Sequence, residues 1–396
     1  MTRVATSWLV YRLTNSAFLL GFTSFAGQLP IFFLSPFAGV LVDRWNRHST
    51  LLITQVLAML QSLALAGLAL SGHITVRDVI LLMLFQGLIN TVDMPARQAF
   101  LVQMIERPED LANAIALNSS MVNGARLAGP AIAGLIIGAV GEGYCFLIDG
   151  ISYIAVIASL FAMRIGPSTH RVEGARLRTE LADGWRYVKE SLPIRSVLLL
   201  LALVSLVGMP YTVLMPMFAG PILHGGPNAL GFLMSAAGVG ALIGALTLAM
   251  RPSILGLGRV IIWSGSIFGA ALIAFALSRY LWLSLVFVAI AGYGMMRHMA
   301  AINTILQTIV APNKRGRVMS YYSLAIQGVT PFGSLGAGAM AARAGAPWTI
   351  VVGGALCVAG SAIFAWNLPK IRLAVRPIYA ELGILPPIPP QADGGD

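Results

Sequence analysis

Charged side chains make up only 10% of the 396 residues, against 57% hydrophobic, and the mean hydropathy is +0.81. A soluble domain carries about 25% charge, so a soluble globular fold is excluded. Cysteine is nearly absent. Cys145 and Cys357 both fall inside apolar stretches, where they act as small hydrophobes rather than as disulfide partners or metal ligands. Five scattered histidines offer no metal-ligand spacing. There is no HExxH, GxSxG or GxxxxGK[ST] pattern, so nothing points to an enzyme, a metal cofactor or a nucleotide-driven machine.

What the sequence does contain is a series of apolar runs: 16–41, 50–71, 78–97, 113–139, 143–163, 196–219, 227–250, 259–278, 281–303, 318–341 and 346–368. A helix needs about 20 residues to cross a hydrocarbon core of about 30 Å, so each run is a complete span. The runs are continuous rather than alternating, which disfavours a transmembrane barrel. The fold expected is all-α and integral to the membrane. The segment before the first run, MTRVATSWLVY, is too short to cross and has no signal-peptide cleavage pattern.

The net charge of +11 could suggest nucleic acid, but here the bases lie in short loops between spans, where they report orientation. Threading the loops alternately gives one side Arg44, Arg47, Arg97, Arg107, Arg164, Arg171, Arg251, Arg259, Lys314, Arg315 and Arg317, among others. The opposite side receives Arg12, Arg77, Arg279 and Arg343. The richer side is expected to be cytoplasmic, together with the loop 164–195 and a Pro-rich tail, 369–396. Within that loop, Arg176 to Lys189 can form an amphipathic helix on the anionic inner leaflet.

Sliding the sequence by 204 residues places Gln103 on Gln307, Ile105 on Ile309, Pro108 on Pro312, Ser119 on Ser323, Gly124 on Gly328, Gly129 on Gly333 and Gly134 on Gly338, without a gap. Such a register indicates a parallel repeat about an axis along the membrane normal. Two six-helix bundles follow, 1–163 and 196–368. The seventh span maps back to a position before Met1, so the first helix is expected to be truncated or its start misassigned, giving eleven complete spans plus a stub.

Gly39-Val-Leu-Val-Asp43-Arg44-Trp-Asn-Arg47-His48 resembles the loop signature G-x-x-x-D-[RK]-x-G-[RK]-[RK] of the major facilitator superfamily, with Asn46 and His48 as departures. The glycine permits close helix approach, and Asp43, Arg44 and Arg47 can latch neighbouring helix ends; a simple positive flank would account for the arginines alone. The counterpart Gly244 to Arg251 has Leu248 at the acid position, a degenerate latch. Gly124-Ala-Arg126-Leu-Ala-Gly129-Pro130-Ala-Ile-Ala-Gly134 is similar to the Gly-Pro element of proton-antiport exporters in that superfamily. The resemblance implies control of leak and direction; plain helix packing is the other reading.

Arg126 falls near mid-membrane, where an unpaired charge costs at least about 2.5 kcal/mol. It serves either substrate or proton coupling or a buried ion pair. Asp93 and Arg97 stand four apart in the order that favours an intrahelical pair. The 204 shift also carries Asp93 onto Arg297, and the resemblance implies that these two helices face each other across the cytoplasmic mouth. Asp93 and Arg297 are therefore candidates for an interdomain gate. Asp149 and Glu142 are further acids that could meet a cationic substrate.

WLVYRLTNSAFLLG, FAGVLVDRWNR, DMPARQAF and APNKRGRVMS most resemble the branch holding enterobactin exporters, macrolide efflux proteins and transmembrane secretion effectors. The resemblance implies a monomeric secondary transporter in a bacterial-type plasma membrane, driven by the proton gradient without a cofactor, exporting a siderophore or a hydrophobic drug-like molecule by alternating access. Proton-coupled uptake, or a non-transporting remnant acting as a lipid scramblase, are the alternatives.

Overall fold

The computed structural model describes residues 1–105, 110–163, 185–251, 253–311, 314–384 and 386; the side chains of 35–44, 102, 103, 111, 112, 115, 116 and 381 lie outside that description. The described chain is almost entirely helical. The first half contains α1 (Thr2–Thr14), α2 (Ala17–Arg44), α3 (Arg47–Leu70), α4 (Val76–Gln103), α5 (Leu111–Val140) and α6 (Glu142–Ala162). The second half contains α7 (Leu192–Val207), α8 (Tyr211–Met217), α9 (Gly226–Ala249), α10 (Leu257–Leu277), α11 (Leu281–Ile309), α12 (Arg315–Ser323), α13 (Thr330–Ala344) and α14 (Ala346–Glu381).

Ten helical stretches among the described residues are long and apolar enough to cross a membrane. Leu192–Ile222 counts as one of them and comprises α7, α8 and a π turn, Phe218–Ile222. The run read as 318–341 is α12 and α13 joined through a second π turn, Leu324–Gly328. α1 is the short helix expected before the first complete span.

The repeat is visible in the turns. Gly141 joins α5 to α6 with φ 91°, and Gly345, its counterpart under the 204 shift, joins α13 to α14 with φ 84°. Both sit in a backbone region that a β-carbon disfavours, so the same turn chemistry closes corresponding hairpins. Elsewhere local capping sets the starts: the Asn46 side chain accepts from Ser49 N at 3.2 Å at the head of α3. Thr75 and Asp78 exchange hydrogen bonds at the head of α4.

In the first bundle α2 packs on α4, and α3 on both α4 and α6; in the second, α9 packs on α11, and α10 on α11 and α14. The bundles meet along two seams, α2 against α13 and α5 against α9. Lipid tails are as apolar as the helices, so close van der Waals approach at small residues holds such seams. A β-carbon added to Gly134 would lie 2.8 Å from Cα of Gly231, and one added to Gly338 would lie 3.0 Å from Cα of Gly21. The shift that carries Gly134 onto Gly338 thus carries one seam onto the other.

Two boundaries differ from the sequence reading. The last helix does not give way to a tail at Leu368 but continues to Glu381 despite Pro369 and Pro377. Leu368, Ile371 and Val375 keep a buried face at helical spacing while Leu373 is exposed, and that packing outweighs the hydrogen bonds proline removes. Of the loop segment Arg176 to Lys189, the part up to residue 184 lies outside the described residues. Residues 185–190 are helical and rest on the second bundle: Lys314 Nζ sits 4.4 Å from the Tyr187 ring centre, Trp185 meets Tyr321, and Val188 is buried.

Candidate functional site between the bundles

Among the described residues, the contacts of the two seams lie in the half nearest the turns at Asn15, Gly141 and Gly345. Contacts there include Ser24 Oγ to Ser334 Oγ at 3.5 Å and Phe25 and Phe32 against Phe332. Of the seam glycines, those nearest the arginine-bearing ends are Gly238, beside Leu127, and Gly328, beside Phe32. Among the described residues α4 and α12 belong to no shared seam, and neither do α4 and α11. Among the described residues, the contacts that join the bundles gather at the turn end.

Asp93 lies on α4 toward the arginine-bearing end and is buried. Its Oδ1 accepts from Thr54 Oγ1 at 2.8 Å and from Gln55 Nε2 at 2.7 Å; its Oδ2 accepts from Arg97 Nη2 at 2.8 Å and Nε at 3.2 Å. Four donors, two of them cationic, stabilise a buried carboxylate anion. The expected pairing of Asp93 with Arg297 is not formed. The i, i+4 geometry on one helix delivers Arg97 without any movement of the bundles, whereas Arg297 stands on α11 in the other bundle.

Arg297 instead donates through Nη1 to the hydroxyl of Tyr293 and lies over that ring, 5.5 Å from its centre. Its Nε is buried with no hydrogen-bond partner among the described residues. Arg297, Tyr293, Arg251, Arg259 and Trp263 line a cavity of about 600 Å³ where α10 and α11 meet the turn that follows α9. Arg251 is held there by its own loop, donating to Ser253 O at 3.0 Å and Leu255 O at 2.7 Å.

Arg126 is exposed on α5, adjacent to the last seam contact, and within electrostatic reach of Arg3 on α1. The buried ion pair considered for Arg126 is not formed among the described residues, where its side chain is exposed. Within the Gly-Pro element, Gly134 makes the close approach and Pro130 presents its carbonyl to Gly231, but Gly124 and Gly129 have nothing within 4 Å of a β-position. The α5 surface beyond the reach of α1 is open, with Leu117, Met121 and Val122 exposed. Of the signature loop, the side chains of Gly39, Asp43 and Arg44 lie outside the described residues. Arg47 begins α3, and His48 Nε2 is 2.8 Å from Leu160 O, tying α3 to the end of α6.

Two acids considered for substrate are engaged in structure. Glu142 is buried and pairs with Arg12 Nε at 2.6 Å, fastening α1 to α6; Asp149 accepts from Ser62 Oγ at 3.2 Å. One signal in the sequence went unread: no Asp or Glu stands between Glu190 and Glu381. The bases between them therefore have no acid within that stretch of sequence, and Glu381 stands at the very end of α14 with its side chain outside the described residues. No group of three or more candidate metal ligands occurs among the described residues.

Two helical bundles joined along matching seams define a secondary transporter of the major facilitator superfamily. The solved nucleoside transporter NupG has the same fold, with a TM-score of 0.70 at 13% identity, covering 93% of this chain and 96% of that one. Residues 1–378 match the transmembrane secretion effector family, and the chain belongs to it. It is 26% identical to the staphyloferrin A transporter of Staphylococcus aureus, over 84% of this chain and 83% of that protein. It is 28% identical to the multidrug efflux pump Tap of Mycolicibacterium fortuitum, over 95% and 94% of the two chains.

Proposed function

We propose that this protein is a proton-driven exporter of a siderophore or of hydrophobic drug-like molecules, working by alternating access in a bacterial plasma membrane with its arginine-rich ends in the cytoplasm. The observation that carries the reading is the likeness along nearly the whole chain to a multidrug efflux pump and a siderophore transporter. In this orientation the seam contacts close the outer end, and substrate loads from the inner one. Arg126 and Arg3, exposed beside the last seam contact, favour a substrate that carries an anionic group on an organic body.

The proton enters at Asp93. Protonation removes the anion that Arg97, Thr54 and Gln55 share, frees Arg97 and loosens α3 from α4 at the arginine-bearing end. The acceptor lies in the first bundle because 191–380 contain no carboxylate. Everted membrane vesicles test the proposal. Accumulation of an added siderophore or macrolide that collapses with an uncoupler is the expected result; accumulation indifferent to the uncoupler, or none with either class of compound, sinks it.

A further inference from the structure

The cavity between α10, α11 and the turn after α9 belongs to no step of the transport reading. Its charge is one-sided: Arg251, Arg259 and Arg297 line it, together with Tyr293, Ser264 and Trp263, and among the described residues no acid does. The sequence from 191 to 380 supplies none either. Three like charges around one cavity favour a counter-charge, and the half-buried Arg297 has its Nε buried with no hydrogen-bond partner among the described residues.

The repeat sharpens the point. The 204 shift carries Gln55 onto Arg259 and Asp93 onto Arg297, and it carries Arg47 onto Arg251. In the first bundle Gln55 donates to Asp93, so the protein supplies its own anion at that place. In the second bundle the equivalent positions are two cations, and the anion has to come from outside. Leu255 and Gly256, at the start of α10, line the same cavity.

The surroundings identify the source. Trp263 is 68% exposed on the flank of the bundle and Leu255 is also exposed, so the cavity opens sideways onto the hydrocarbon boundary, at the helix ends where lipid headgroups lie. An aromatic ring at that level with arginines above it fits a lipid better than a free ion. We propose that this cavity binds the phosphodiester headgroup of an anionic phospholipid, with Arg259 and Arg297 as the principal contacts and Arg251 bordering them.

The test uses the detergent-solubilised full chain and thermal unfolding with added dioleoyl phosphatidylglycerol, dioleoyl phosphatidylcholine or inorganic phosphate, with native mass spectrometry to count bound lipid. Phosphatidylglycerol is expected to raise the unfolding temperature and to be retained as one tightly held molecule; the other two probes are expected to do neither. Each of Arg259→Gln and Arg297→Gln should weaken that binding about fivefold, since a surface arginine contributes about that factor, while Arg297→Lys keeps most of it. Arg279→Gln, at the opposite helix ends, serves as control and should leave it unchanged. Arg259 is exposed, so its variant remains readable even where Arg297→Gln folds poorly. Equal stabilisation by phosphatidylcholine, an equal effect of inorganic phosphate, or undiminished binding in Arg259→Gln would each overturn the proposal.

Discussion

Asp93 is the residue on which sequence and structure bear most differently. Its spacing to Arg97 was readable and correct as a local pair, because i, i+4 neighbours on a helix meet whatever the rest of the fold does. That Thr54 and Gln55 complete the cluster was not readable, since it depends on how α3 rotates against α4. Asp93→Asn keeps the shape but leaves Arg97 without its anion and forces the amide to meet donors on both sides. We expect a loss of about 1–3 kcal/mol in stability and the disappearance of most uncoupler-sensitive accumulation in vesicles. Substrate accumulation with unchanged pH dependence in that variant would remove Asp93 from the coupling path. Glu142 is a second residue whose role came only from the fold. Glu142→Gln should lower the unfolding temperature by the equivalent of about 1–2 kcal/mol, the half-exposed Arg12 losing a charge-assisted bond, and should leave substrate binding untouched.

Among the elements, the two seams show how much a periodic apolar run conceals. Span positions were legible because hydropathy and length decide them. Which glycines touch another helix was not, since Gly124, Gly129 and Gly134 look alike in sequence. Only Gly134 faces a backbone; Gly124 faces open space. Substitution separates them. Gly124→Ala should be neutral or stabilising by up to about 1 kcal/mol, the ordinary gain of alanine over glycine in a helix. Gly134→Ala pushes a methyl into Gly231 and should destabilise the closed turn end by about 1–3 kcal/mol, seen as greater labelling of a cysteine placed near Val140. The helix end at Glu381 was likewise hidden, because two prolines predict a stop while the buried face of Leu368, Ile371 and Val375 sustains the turn.

For the whole molecule, the repeat was the most informative property of the sequence, since a gapless shift predicts topology without any knowledge of packing. It corresponds to the paired turns at Gly141 and Gly345 and the paired seams, but not to every contact: Gly124 and Gly129 face open space where Gly328 meets Phe32 and Gly333 meets Leu206, and the halves have diverged in charge. Asp93 and Arg297 occupy equivalent places with opposite sign, and the acid found a partner within its own helix. A transporter that rocks between two states must open the seam that is closed here. Ser24 and Ser334 face each other across it, their hydroxyl oxygens 3.5 Å apart, close enough for a disulfide once both are cysteine. The native thiols do not interfere, because Cys145 and Cys357 are both fully buried. Ser24→Cys with Ser334→Cys should therefore form a bond under mild oxidation, shown by a mobility shift after cleavage of the chain between the bundles. Transport should stop in the oxidised protein and return on reduction, with either single variant active throughout. Full transport with the bond intact would mean that this seam does not open, and that the bundles do not rock about the contacts described here.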